Sequence, residues 1–221
     1  MSEFIIRNAT INDIPLLVDT IIEAEKSGTD VLSYSSIFGL SEEEVRKYLN
    51  DILYEEIDGC ELSVSSFIVA ECNGKTAGAV SAWIEGAEGI PSAVIKGNLL
   101  NYSLPKRCIE NAVRVNEIIR DLDIEYFPNT IQLGAGYVVS EFRGKGLLGL
   151  LESEIIARLA QTNPNVKQVW AQIFYCNIPS IRTFEKANFE LVLTKESSNE
   201  EILKYLPSNK KVLMKKELVV K

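Results

Sequence analysis

Residues 130–161 constrain this chain more than any other stretch. Thr130 to Val139 reads as a strand, rich in β-branched residues and punctuated by Gly134 and Gly136. A short turn follows, Ser140-Glu141-Phe142-Arg143-Gly144-Lys145-Gly146, and a helix is predicted over 147–161. Its apolar stripe is Leu147, Leu148, Leu151, Ile155 and Leu159, with Glu152, Glu154 and Arg158 elsewhere on the wheel. A strand, a glycine loop and a helix in that order make an anion site. The first N–H groups of the helix lack intrahelical partners, and the macrodipole is positive there. Gly144 and Gly146 let backbone approach a ligand, while Arg143 and Lys145 add positive charge.

The other elements arrange themselves around that unit. A first strand is predicted at 4–7 and a helix over 14–26, with Pro15 in its first turn and Gly28 ending it. Ser41-Glu42-Glu43-Glu44 has capping-box spacing and announces a second helix. Asn73-Gly74 joins strands at 66–72 and 76–84 as a hairpin. An excursion over 86–129 precedes the central strand and holds one predicted helix, 106–121. Beyond it come a strand at 166–174, a helix at 177–187, and closing strands at 189–194 and 211–220. The fold class expected is α/β of the α+β type, as one domain over 1–221 with the 86–129 insertion.

Composition excludes several classes of function. The 221 residues contain no histidine, which removes histidine-based catalytic triads, histidine general bases and His-Glu-x-x-His metal sites. Cys60, Cys72, Cys108 and Cys176 form no Cys-x-x-Cys pair, so no zinc or redox motif is indicated. A net charge of −8 argues against nucleic acid, whose binding needs a concentrated basic surface. No apolar run reaches the roughly 20 residues of a membrane span, and the first residues do not form a secretory signal. A cytoplasmic protein is the expectation.

Three phosphate binders compete for the loop. The P-loop would need glycine at Val139 and a hydroxyl at Gly146. Gly144-Lys145-Gly146-Leu147-Leu148-Gly149 matches the dinucleotide fingerprint, but no ribose-binding carboxylate ends the next strand, Phe174-Tyr175-Cys176-Asn177. Arg143-Gly144-Lys145-Gly146-Leu147-Leu148 resembles the Arg/Gln-x-x-Gly-x-Gly/Ala acyl-CoA loop of the GNAT superfamily of N-acetyltransferases. Val138 stands five residues before the arginine, as the family's strand valine does. Asn177-x-x-Ser180-x-x-Thr183-Phe184-Glu185-Lys186-Ala187-Asn188-Phe189 resembles the family's downstream segment, and Ile6-Arg7-Asn8-Ala9-Thr10 a common family start. Element order agrees too, so the resemblance covers the chain apart from the excursion.

That resemblance implies an acyl-CoA N-acyltransferase-like fold, with a central mixed, mostly antiparallel sheet flanked by helices, and an enzyme moving acetyl from acetyl-CoA to a primary amine. The amine would belong to a small molecule or peptide, and transfer would be direct, in a ternary complex. It implies a cofactor site formed by Val138, Val139, Ser140, Arg143, Gly144, Lys145, Gly146, Leu147, Leu148 and Asn177. Pantetheine would pair along Val138 and Ser140, with the Val138 N–H serving the oxyanion. A bulge splaying the central strand would suit Gly134 or Gly136. No metal is implied, and a homodimer is allowed. Two residues depart from the pattern: Leu148 replaces a small residue, and Phe184 replaces a tyrosine that would protonate the leaving thiolate. Tyr175 is the substitute acid expected here. Glu85 is the expected base, with Glu125 and Asp123 behind it. An acyl-CoA-binding regulatory or interaction module on the same fold is the alternative.

Overall fold

The computed structural model describes residues 4–87 and 89–218. Seven strands form one sheet in the order β1-β2-β3-β4-β5-β7-β6. They are β1 (Ile5–Asn8), β2 (Phe67–Cys72), β3 (Lys75–Ile84), β4 (Ile131–Val138), β5 (Gln168–Phe174), β6 (Glu190–Glu196) and β7 (Lys210–Glu217). Only β4 and β5 run parallel; every other neighbouring pair is antiparallel. The mixed, mostly antiparallel sheet is thus as expected from sequence. The predicted end of the last strand, at Val219 and Val220, lies outside the described residues.

Among the described residues there are seven α-helices: α1 (Ile14–Lys26), α2 (Ser33–Phe38), α3 (Glu42–Tyr54), α4 (Ser92–Ser103), α5 (Lys106–Ile119), α6 (Leu147–Thr162) and α7 (Ile178–Lys186). Helix α1 spans the predicted 14–26, and α3 starts from the Ser41–Glu44 capping box, with Ser41 Oγ accepting from Glu44 N at 3.1 Å. Asn73 and Gly74 both take positive φ, 52° and 75°, as a tight hairpin turn requires. The period-2 alternation of β2 feeds two cores. Phe67 and Val69 join α1 and α3 through Leu17, Ile21, Leu49 and Ile52 on one face. Ile68 and Ala70 join α6 and α7 through Leu147, Leu151, Ile155 and Phe184 on the other.

Two helices depart from the sequence expectation. The excursion holds both α4 and α5, not α5 alone, and α2 occupies 33–38. Only Ser92, Leu99 and Leu100 of α4 are buried, so its sequence carries no continuous apolar stripe to reveal it. Helix α2 has six residues, too few for periodicity to register. Among the described residues no helix is long and apolar enough to cross a membrane.

Candidate functional site

Strands β4 and β5 pair only from Ile131–Val169 to Leu133–Ala171 and then part. The cause lies in β4. Val80 faces Gly136 and Ala82 faces Leu133, so β4 carries one extra residue, the bulge at Gly134 and Ala135 opposite Ser81. Glycine is required at this bend by its neighbours. A Cβ on Gly134 would lie 2.5 Å from Ser81 Oγ and 2.9 Å from the Trp83 ring. On Gly136 it would lie 2.9 Å from Leu148 Cδ1. Leu148, the large residue where the resembled loop has a small one, therefore sits over a strand glycine.

Past the bulge, β4 keeps β3 on one side and has no strand on the other. Val139 N–H donates to Ala77 O at 2.9 Å, so the groups of Val138 point to the open edge. There the Val138 carbonyl accepts from Arg143 Nε at 2.8 Å, and the guanidinium lies 5.4 Å from the Tyr137 ring centroid.

The loop after β4 begins with a 3₁₀ turn, Ser140–Phe142, anchored by the buried Phe142. Gly144 and Gly146 take φ of +77° and +74°, and a Cβ on either would meet nothing within 4 Å. Their need for glycine is conformational, not a matter of room within the protein. Gly146 caps α6 without a side-chain hydrogen bond. The first-turn N–H groups of Leu147, Leu148 and Gly149 thus lack intrahelical acceptors. Residues 143–146 are exposed, with Lys145 Nζ 5.4 Å from the Phe142 ring. Uncapped donors, a positive helix end and two cations make this a surface that favours an anion.

Leu148 and Gly136 border a cleft of about 400 Å³ that passes between the parted strands. On the α6–α7 side Glu152, Asn177, Ser180 and Phe184 line it. Asn177 caps α7, its Oδ1 accepting from Ser180 N at 3.3 Å, and Phe184 packs edge-on against Phe189. The far side is a charged chamber. Glu25 of α1, Tyr34 of α2, Glu61, Lys96 of α4, Asp123 and Lys211 of β7 line it.

Electrostatics divide the chamber. Lys96 is ion-paired to Glu61 and stands 5.4 Å from the Tyr34 ring centroid. Burial pulls its ammonium down, but Glu61, Tyr34 and Glu25 outweigh burial and hold it well above the usual lysine value. Lys211 has no carboxylate within ion-pair distance among the described residues, and burial lowers its pKa against the pull of Glu25 and Asp123. Burial also raises the carboxyls of Glu25 and Asp123. Two carboxyls shifted toward neutrality are better proton acceptors than ordinary carboxylates.

The structure places both catalytic candidates expected from sequence away from the cleft. Glu85 is 4% exposed and does not line the cleft. Its carboxylate accepts from Trp83 Nε1 at 3.1 Å, from Ser92 N at 3.0 Å and from Ser92 Oγ, so it caps α4. Tyr175 is 47% exposed and also lies off the cleft, its ring 4.7 Å from Lys210 Nζ. Glu125 does not line the cleft, whereas Asp123 does. Leu148 and Asn177 of the expected cofactor residues line it, and Val138 to Leu147 form the open edge and loop between Gly136 and Leu148.

Sequence reasoning missed Glu25, Lys96, Lys211 and Glu152. Glu152, read as off the apolar stripe, is only 6% exposed. Its spacing of i+4 from Leu148 was the available signal, because the two share a helix face. Lys96 lay in the helix with no stripe.

No protein-family model matches this sequence, and no curated protein matches it either. Solved structures do match. An N-acetyltransferase from Staphylococcus aureus Mu50 has a TM-score of 0.66 at 12% identity, over 96% of this chain and 100% of that one. An acetyltransferase of the GNAT family from Streptococcus pneumoniae has a TM-score of 0.53 at 19% identity, over 98% and 100%. A polyamine N-acetyltransferase from Drosophila melanogaster has a TM-score of 0.56 at 14% identity, over 98% and 100%. With likeness over nearly the whole of each chain, and with the bulged β4, parted β5 and glycine-flanked α6, this chain has the fold of the GNAT acetyltransferases.

Proposed function

We propose that the chain is an N-acetyltransferase that moves acetyl from acetyl-CoA to a primary amine of a small molecule or peptide, by direct transfer in a ternary complex. One observation carries this reading: a single cleft joins the open β4 edge and uncapped α6 terminus to a chamber of titratable side chains. The fold shared with a polyamine N-acetyltransferase is consistent with an amine acceptor.

In this reading the N–H groups from Gly144 to Leu148 hold the pyrophosphate, helped by the side-chain charges of Arg143 and Lys145, while the Arg143 N–H donates to Ser140 O at 3.3 Å. Val138 offers its open-edge N–H and carbonyl to the pantetheine arm and thioester, once Arg143 leaves the carbonyl it occupies. Asn177 borders the same channel. An alkylamine with a pKa of about 10.4 is neutral in only about one molecule in 2,500 at pH 7, so a proton acceptor is needed. Asp123 and Glu25 take the role first sought in Glu85, since burial makes both more basic than ordinary carboxylates. The amine nitrogen bonds to the thioester carbon, its proton passes to a carboxylate, and the carbon–sulfur bond breaks. Phe184 offers the thiolate no proton, but a thiolate of pKa about 8.5 leaves with help from water.

Calorimetric titration with acetyl-CoA and CoA, followed by a thiol-release screen across amine classes, tests the reading. Binding and amine-dependent thiol release are expected. No binding of either ligand overturns it. Binding with a blank screen favours the second reading, an acyl-CoA-binding regulatory or interaction module, which Phe184 and Leu148 over Gly136 recommend. Arg143→Ala is expected to weaken CoA binding about tenfold, the usual effect of one charge-assisted phosphate contact, and to reduce its salt dependence. Unchanged affinity at low salt would remove Arg143 from the phosphate site.

A further inference from the structure

Two buried side-chain polar atoms lack any hydrogen-bond partner among the described residues, Ser33 Oγ and Glu152 Oε2, and both residues line the cleft. Glu152 is the more costly to the protein. A buried carboxyl gains nothing here from a cation, and an unmade hydrogen bond is lost stability. It lies one turn into α6 beyond Leu148, on the wall shared with Gly136, Asn177, Ser180 and Phe184.

The core beneath α6 is apolar. Helix α6 packs on β2, β3 and β4, which bring Ile68, Ala70, Val80, Ala82 and Leu133 into its core; the Cys72 thiol is the titratable member. On α6 itself Glu154 is tied to Arg158. Arg143 and Lys145 stand on the exposed loop before the helix. Elsewhere in the cleft the titratable groups are Glu25, Glu61, Lys96, Asp123, Lys211, Tyr34 and Tyr126, all on the chamber side. None of them governs Glu152: burial alone raises its carboxyl to about 7. The neutral acid presents an O–H, a donor on a side chain that lines the cleft.

We propose that Glu152 is a ligand-binding residue of the cleft, donating the O–H of its neutral carboxyl to an amide carbonyl of the CoA pantetheine arm. The inference rests on the acyl-CoA reading above and adds to it a residue at a helix position one turn inside the phosphate cradle. Binding then carries a proton with it. The ionised carboxylate can only accept, and it stands in an apolar wall facing a carbonyl, so affinity falls as pH rises through the range of Glu152.

The test is calorimetric titration of the full chain with CoA at about pH 6 and about pH 8.5, for the parent, Glu152→Gln and Glu152→Leu. Thermal melts run beside it. The parent is expected to bind about tenfold tighter at the lower pH, relative to Glu152→Gln, whose amide N–H donates at both. That comparison cancels the titration of the CoA phosphates. Glu152→Leu should bind roughly three- to tenfold more weakly at the lower pH, yet melt higher than the parent, since it removes an unpartnered buried acid. The melting difference should widen as pH rises from about 4.5 to about 7, because a raised carboxyl pKa contributes stability that is lost over that window. Equal CoA affinity in parent and Glu152→Leu, both folded, overturns the inference and leaves the acyl-CoA reading intact. No CoA binding by the parent at either pH overturns both.

Discussion

Gly146→Val is expected to reduce CoA affinity by about a hundredfold or more while the protein still folds. Gly146 holds φ at +74°, where a β-branched residue is strained by roughly 1–3 kcal/mol. Relieving that strain turns the peptide units on either side, and those units carry the N–H donors of the cradle. Each donor to a phosphate contributes about 1.5–3 kcal/mol, so disorganising two of them accounts for the loss. The position is exposed and a Cβ there meets no protein atom within 4 Å, so the core is not disturbed. Calorimetry against CoA reads the affinity, and a melt confirms folding. Gly146→Asn separates the two demands on this residue. Asparagine tolerates the left-handed region, so it should keep most of the affinity if conformation is what matters. If it loses as much as valine, the ligand itself needs the space of the missing side chain. Valine binding as tightly as glycine would end the cradle account.

Gly134→Ala is expected to cost about 2–3 kcal/mol of stability, a melting decrease of roughly 5–10 °C for a chain of this size. The new Cβ would stand 2.5 Å from Ser81 Oγ and 2.9 Å from the Trp83 ring, and both residues are buried. Neither can give way freely. Ser81 belongs to the opposing strand, and the Trp83 indole is tied to Glu85 and packed edge-on against Tyr126. Gly136→Ala makes a useful contrast. Its closest approach is to Leu148 Cδ1, the end of a flexible side chain, so it should cost much less stability while displacing Leu148 in the cleft. A Gly134→Ala protein that melts with the parent would mean that the bulge absorbs the methyl and is not held by this packing.

Much of this was legible in the chain because its causes are local. The start of α1 follows from Pro15 and its run from an apolar period of 3.6, while its end is a left-handed Ser27 just before the glycine expected to stop it. The Ser41 capping box and the Asn73-Gly74 turn are contacts between residues that are near in sequence. So is the strand–glycine loop–helix unit, whose φ values and uncapped helix end are the ones its glycines predict. Acidity was a poorer guide. Glu85 looked well placed at the end of a strand, yet Trp83 and Ser92 bind its carboxylate and leave nothing for a substrate. Glu152 looked like a surface residue between apolar neighbours, and the opposite is true.

By itself the sequence determined the order of the strands and of the longer amphipathic helices, the glycine loop with its anion-favouring helix end and the absence of histidine chemistry, since each depends only on residue types and short spacings. Only the tertiary structure decided which edge of β4 is open, which acids reach the cleft and which are consumed by capping. Those facts depend on pairings between residues far apart in the chain, such as β4 with β5 and α4 with Glu85. A carboxylate's partners and burial decide its proton affinity and its availability, and neither can be read before the chain has folded around it.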